Sequence, residues 1–122
     1  MQGHPWSVAI LGVDENTIRL GVAAAGQNMR LTGLHDHNHH EALIASLRFG
    51  CNAYASVAEA VREANVVVCG ANVGDDVGLP VGVLALRLRG GDCLCPAAGQ
   101  VEARRFLDSV GFEAVQLRSI DD

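Results

Sequence analysis

The apolar positions of the chain fall into short runs separated by polar, glycine-marked breaks. Ser7 to Gly12 opens the series: Val8 to Leu11 is apolar throughout, as expected of a strand buried on both faces. Ile18, Val22 and Ala25 then recur at helical spacing and predict a helix that ends at Gly26, placed at its C′ position. Asp14 or Asn16 can cap it. Gly21 lies beside its apolar face and would let the helix sit close on the sheet. A second strand is read over Arg30 to His35. Asn38 with Glu41 resembles a capping box and starts a second helix, with Ala42, Leu43 and Leu47 as its buried face and Gly50 as its end.

The same alternation continues. Cys51 to Ala55 reads as a third strand, and Ser56 with Glu59 caps a helix carrying Val57, Ala60, Val61 and Ala64 on one side. Val66 to Cys69 is a fourth, wholly apolar strand, followed by the polar, glycine-rich loop Gly70 to Gly78. Pro80 fits the first turn of a helix reaching about Arg89 and ended by Gly90 and Gly91. Asp92 to Cys95 is a fifth strand. Val101 to Val110 is a helix with Phe106, Leu107 and Val110 inward, closed by Gly111, and Glu113 to Leu117 is the sixth strand. Six strands alternating with five helices predict an α/β fold: a three-layer α/β/α, doubly wound, mostly parallel six-stranded sheet. At 122 residues the chain is expected to be a single domain, 1–122.

Composition narrows the function classes. Hydrophobic residues make up 49 % and aromatics only 4 %, so Ala, Val, Leu and Gly must do the packing. A net charge of −5 argues against nucleic acid as a partner, which calls for a basic face. No apolar run reaches the roughly 20 residues of a membrane span, and Met1 to Trp6 has no signal-peptide pattern. The expectation is a soluble, cytoplasmic protein. Cys51, Cys69, Cys93 and Cys95 form no C-x-x-C pair and read as small buried hydrophobes. Cys93 and Cys95 share a strand face and, with Cys69, offer a soft-metal or disulfide alternative. No metal site is assigned.

The order of these elements resembles the NAD(P)-binding Rossmann domain of the 6-phosphogluconate dehydrogenase-like superfamily. The likeness is carried by Val8-Ala-Ile-Leu-Gly12, Ala23-Ala-Ala-Gly26 and Leu31-Thr-Gly-Leu-His-Asp36. It continues in Ala55-Ser-Val-Ala-Glu-Ala-Val-Arg-Glu-Ala-Asn65 with Val66-Val-Val-Cys69, in Leu86-Arg-Leu-Arg-Gly-Gly-Asp92, and in Ala103 to Phe112. The resemblance implies NAD or NADP as cofactor. It sets the cofactor-contacting candidates at Gly12, Val13, Asp14 and Asn16 after the first strand, Asp36 and His37 after the second, and Gly70, Ala71 and Asn72 after the fourth. Asp36 matches the position that hydrogen-bonds the adenosine ribose, which would favour NAD over NADP. Family members add a C-terminal helical domain for catalysis and dimerisation. Without it, binding rather than catalysis is expected, and no catalytic residue is assigned.

The glycine motif G-x-G-x-x-G is degenerate here. Gly12 serves as the first glycine, but Asp14 and Thr17 stand at the second and third positions, and the stretch from Gly12 to Gly26 is about two residues short of the family pattern. Asp14 and Glu15 suit the N-terminus of a helix. A pyrophosphate at the same place would meet repulsion of roughly 1 to 4 kcal/mol per close charge pair. The run His35-Asp-His-Asn-His-His40 offers imidazoles to adenosine or a metal, or is a solvated loop, and it matches no metal-ligand spacing. Asp75 and Asp76 read as a cation or acid–base pair, or as caps of the helix at Pro80.

Three function classes follow. The first is a stand-alone Rossmann-like module that binds NAD(P) or another small nucleotide. The second is a non-enzymatic scaffold with a vacated nucleotide site, pairing with itself as a homodimer or with a partner protein. The third is a metal-dependent or sugar-phosphate enzyme using Asp36, His37 and the aspartates after the fourth strand, which no nucleophile–base pair or ligand motif supports.

Overall fold

The computed structural model describes residues 6–74, 76–112 and 116–119. Its elements are β1 (Ser7–Leu11), α1 (Glu15–Gly26), β2 (Arg30–His35), α2 (His39–Phe49), α3 (Val57–Val61), β3 (Val66–Cys69), β4 (Leu84–Arg89), β5 (Asp92–Cys95), a 3-10 turn (Ala97–Gly99), α4 (Gln100–Val110) and β6 (Gln116–Ser119). The six strands form one sheet in the order β2-β1-β3-β4-β5-β6. All neighbouring pairs are parallel except β4 and β5, which run antiparallel. The α/β, mostly parallel architecture is the expected one.

Alternation along the strands divides the core. Val8, Ile10, Val66, Val68, Leu86, Leu88, Cys93 and Cys95 face the side covered by α1, α2 and α4, where Leu20, Ala45, Phe49, Phe106 and Leu107 close the packing. Trp6 meets Phe106 edge-on, with ring centroids 5.6 Å apart. Ala9, Leu11, Val67 and Cys69 face the other side, covered by Ala60 and Val61 of α3 and by the loop after β3. α3 approaches very closely because β2 carries Gly33. A Cβ there would stand 2.3 Å from the Ala60 carbonyl oxygen. Gly33 also follows the irregularity that sets Ala9 opposite Gly33 one step after Val8 opposite Leu31.

Several expectations are corrected. Residues 80–89 are not a helix: Leu84–Arg89 is strand β4, and Gly90 and Gly91 turn it into the hairpin with β5. The Leu-Ala-Leu-Arg-Leu-Arg stretch alternates with period two, and Pro80 belongs to the preceding loop. Residues 51–55 form no strand, only a single bridge between Leu34 and Ala53. The buried face of α1 is Thr17, Leu20, Gly21 and Ala24, with Val22 exposed. Gly21 makes room for the Phe49 ring of α2, not for the sheet. The left-handed residue after α1 is Asn28, at φ 59, rather than Gly26. In α2 Ala42, Ala45, Ser46 and Phe49 are buried, while Leu43 and Leu47 face outward. α3 stops at Val61.

Other expectations hold. Asp14 caps α1, Asn38 caps α2, and Ser56 caps α3 by accepting the Glu59 amide. Phe106, Leu107 and Val110 point inward, and Gly111 ends α4. β6 lies at Gln116–Ser119, and residues 113–115 of the expected sixth strand lie outside the described residues. All four cysteines are free thiols. Burial and the neighbouring Cys95 push the Cys93 thiol up to about 12, and burial raises Cys51, Cys69 and Cys95 as well. Among the described residues no helix is long and apolar enough to cross a membrane, and no group of three or more metal-binding side chains converges.

Candidate functional site

β1 lies between β2 and β3, so the chain leaves its C-terminal end toward opposite sides. Such a switch point opens a crevice at the carboxyl edge of the sheet. Three loops meet there: Gly12–Asp14 after β1, Asp36–Asn38 after β2, and Gly70–Gly74 after β3. Between them is a cavity of about 180 Å3, lined by Leu11, Gly12, His35, Asp36, His37, Val57, Asn72, Val73 and Gly74.

Gly12 makes the turn possible. It sits at φ +83, and a Cβ there would strike the Asn72 side-chain oxygen at 2.4 Å and a Val73 methyl at 2.7 Å. A side chain at this position would suffer both backbone strain and collision. The loop after β3 is therefore laid directly over the turn after β1.

Two carboxylates hold the loops together. Asp36 Oδ2 accepts the Val13 N–H at 2.6 Å, and Oδ1 accepts the Asn38 N–H at 2.8 Å. The residue is only 4 % exposed. Burial opposes its ionisation, but the Asn38 and Val13 amides, the Asn72 side chain and nearby His37 outweigh burial and hold the carboxyl below its ordinary value of 3.8. A ligand hydroxyl would reach Asp36 only through the lone pairs these amides leave. Asp14 works in parallel. Its Oδ1 accepts the Thr17 N–H at 3.0 Å and its Oδ2 accepts the Ala71 N–H at 2.9 Å. Thr17 Oγ1 accepts the Asp14 N–H at 2.9 Å and donates to the Gly12 carbonyl at 2.9 Å. Amides that in a dinucleotide site face an anion are here satisfied by the chain's own acids.

Imidazoles flank the cavity. His35 Nδ1 lies 3.0 Å from the Tyr54 carbonyl oxygen, and a carbonyl only accepts, so Nδ1 carries the proton. His37 Nδ1 stands 3.3 Å from Asp36 Oδ1, with its side chain 79 % exposed.

The nine residues singled out in the sequence separate into three groups. Gly12, Asp36, His37 and Asn72 line the cavity. Val13, Asp14, Gly70 and Ala71 form the hydrogen-bonded rim: the Gly70 N–H reaches the Leu11 carbonyl at 2.8 Å, and its carbonyl accepts Arg89 Nη1 at 2.9 Å. Asn16 faces away, with Nδ2 3.4 Å from the Gly90 carbonyl of the β4–β5 hairpin. Leu11, His35, Val57, Val73 and Gly74 complete the lining and are not among the nine, although His35 belongs to the histidine run and Val73 and Gly74 to the glycine-rich loop after Cys69. No helix follows Asp76, so it caps none, and Asp75 lies outside the described residues.

No family model and no curated protein matches the chain. Solved structures do. The chain is similar to a conserved hypothetical protein from Sinorhizobium meliloti 1021, at 14 % identity and TM-score 0.67 over 98 % of this chain and 55 % of that one. It is similar to an imine reductase from Myxococcus stipitatus in complex with NADP+, at 15 % identity and TM-score 0.60 over 96 % of this chain and 56 % of that one. A UDP-N-acetylglucosamine 3-dehydrogenase from Acidithiobacillus ferrooxidans matches at 18 % identity and TM-score 0.55, over 94 % of this chain and 38 % of that one. The chain thus spans between 38 % and 56 % of the length of these three structures. At these identities the likeness is one of fold: the chain has the Rossmann-like architecture found in dehydrogenase-type proteins.

Proposed function

We propose that the chain is a Rossmann-type nucleotide module, related to dehydrogenase cofactor domains, that takes the nucleoside end of a nucleotide at the C-terminal edge of its sheet. The observation that carries this reading is the convergence of Gly12, Asp36, His37 and Asn72 around one cavity at the switch point of the sheet. The cavity, about 180 Å3, is smaller than the roughly 300 Å3 at which ordinary ligand pockets begin. It suits a nucleoside fragment. NAD or NADP in the extended pose requires the Asp14–Ala71 and Gly12–Asn72 contacts to open, against the charge of Asp14. No catalytic role is assigned.

Titration calorimetry with adenosine, AMP, NAD+ and NADP+ tests the reading. Adenosine and AMP are expected to bind the wild type, and Asp14→Gly is expected to raise the affinity for NAD+ or NADP+ by about tenfold as a close negative charge is removed. Absence of binding by every nucleotide, in both proteins, overturns it.

A second reading is a self-associating or partner-binding scaffold. It is favoured by apolar side chains on the outer surface of α2, where Leu47 is 86 % exposed and Leu43 and Ile44 about half exposed. Light scattering of the wild type and of Leu47→Glu separates the two: an oligomer that dissociates in the variant, with no nucleotide bound, supports the scaffold.

A further inference from the structure

A second groove, of about 580 Å3, opens at the opposite, N-terminal edge of the sheet, between the starts of β1 and β4 and the turn after β5. The candidate nucleotide site contributes nothing to it. Its wall includes a stretch of strand edge. The β4–β5 register pairs Arg87 with Leu94 and Arg89 with Asp92, and continuing it sets Ala85 opposite Pro96. Leu84 donates its N–H to the Asn65 carbonyl at 2.9 Å, on the β3 side. Backbone polar groups alternate sides along a strand, so Ala85 directs its N–H and C=O toward the β5 side. Pro96 has no N–H to offer. Its carbonyl is taken by the Gly99 N–H at 2.8 Å as the chain turns into the short 3-10 helix. Ala85 and Pro96 both line the groove, so β4 runs past the end of β5 with an open edge inside an apolar cleft.

The groove also has a charge. Among the described residues that line it, Glu102 is the one charged side chain. It meets Arg105 at 3.2 Å on the same helix, but both side chains are more than half exposed, and such a pair yields easily to another cation. Backbone groups waiting for a strand, apolar walls at Trp6 and Pro96, and a carboxylate at the rim together specify an occupant. We propose that this edge takes an extended, basic peptide segment of a partner protein as an added β-strand, hydrogen-bonded to Ala85 with a Lys or Arg toward Glu102.

The probe is the capped peptide acetyl-Lys-Val-Thr-Val-amide, titrated to millimolar concentration into the 15N-labelled full chain. The expected result is displacement of the Ala85 amide resonance and those beside it. Binding should be about tenfold weaker when the peptide amide facing Ala85 is N-methylated, as for loss of one hydrogen bond, and weaker in Glu102→Gln. Pro96→Val supplies the missing N–H opposite Ala85, a donor that can occupy the Ala85 carbonyl; it should compete with the peptide and weaken its binding. Three outcomes overturn the proposal: an Ala85 amide already protected in the free protein, no displacement by the peptide, or equal affinity for all its N-methylated forms.

Discussion

Asp36 and Val13 are joined by a hydrogen bond of 2.6 Å that crosses 23 residues, from the end of β2 to the turn after β1. The acceptor is a buried carboxylate and the donor a backbone amide, so the bond is charge-assisted and partly shielded from water. The same carboxylate holds Asn38. Replacing it with the isosteric amide, Asp36→Asn, removes the charge and sets an NH2 group against one of two N–H donors. The variant is expected to lose about 1–3 kcal/mol of stability, read as a lower urea midpoint at unchanged slope.

The pH dependence follows from the same group. The folded pKa of Asp36 lies below its unfolded value near 3.8. Its ionised form therefore favours the folded state fully above that unfolded value, and the contribution is lost as the pH falls through the lower folded value. Urea midpoints measured from pH 6 down to pH 3 should fall more steeply in the wild type than in Asp36→Asn. Parallel curves would show that Asp36 is not the titrating clamp.

Gly33 gives a steric test. An added Cβ would meet the Ala60 backbone carbonyl, which cannot rotate away as a side chain can. Gly33→Ala should therefore force α3 off β2 and cost about 1–3 kcal/mol, the usual range for overpacking. Gly26→Ala, where a Cβ meets nothing within 4 Å, should be neutral or mildly stabilising in the same thermal melts.

The cysteines supply a chemical test. Cys69, Cys93 and Cys95 are buried, and burial keeps all four thiols protonated at neutral pH. A thiol-disulfide reagent at pH 7.5 should label Cys51 first, since it is only half-buried, and reach the other three at the rate of unfolding. Rapid labelling of Cys93 in the native protein would contradict its position in the core.

The sequence made the frame legible wherever one signal was strong and local. Val8–Leu11 and Val66–Cys69 are apolar without interruption, and only a strand buried on both faces needs that. Asp14, Asn38 and Ser56 announced their helices because a cap is a contact between near neighbours. The failures came where two local signals disagreed. In Leu84–Arg89 the alternation favoured a strand, while Pro80 before it and Gly90-Gly91 after it mimicked the start and end of a helix. The strand prevailed because Leu86 and Leu88 fill the core beside β3, and the Arg87 and Arg89 side chains reach carbonyls of the Gly70–Gly74 loop. In α2 the more hydrophobic Leu43 and Leu47 were read as inward. The helix instead buries Ala45 and Phe49, because Gly21 of α1 leaves room for the Phe49 ring. At the candidate site the residue types were readable, but their partners were not. Nothing near Asp14 in sequence says that its second oxygen will find Ala71, 57 residues away.

That distance bears on the order of events in folding. Asp14 and Asp36 tie together loops that follow three different strands. Asp36 cannot find the Val13 amide until β1 and β2 lie side by side, nor Asp14 the Ala71 amide until β1 and β3 do. Contacts of this kind are expected to form after the transition state, with φ-values near zero for substitutions at Asp14 and Asp36. Their removal is felt mainly as faster unfolding, with the folding rate little changed. The two acids that close the carboxyl edge of the sheet are thus expected to set how long the finished fold lasts more than how quickly it forms.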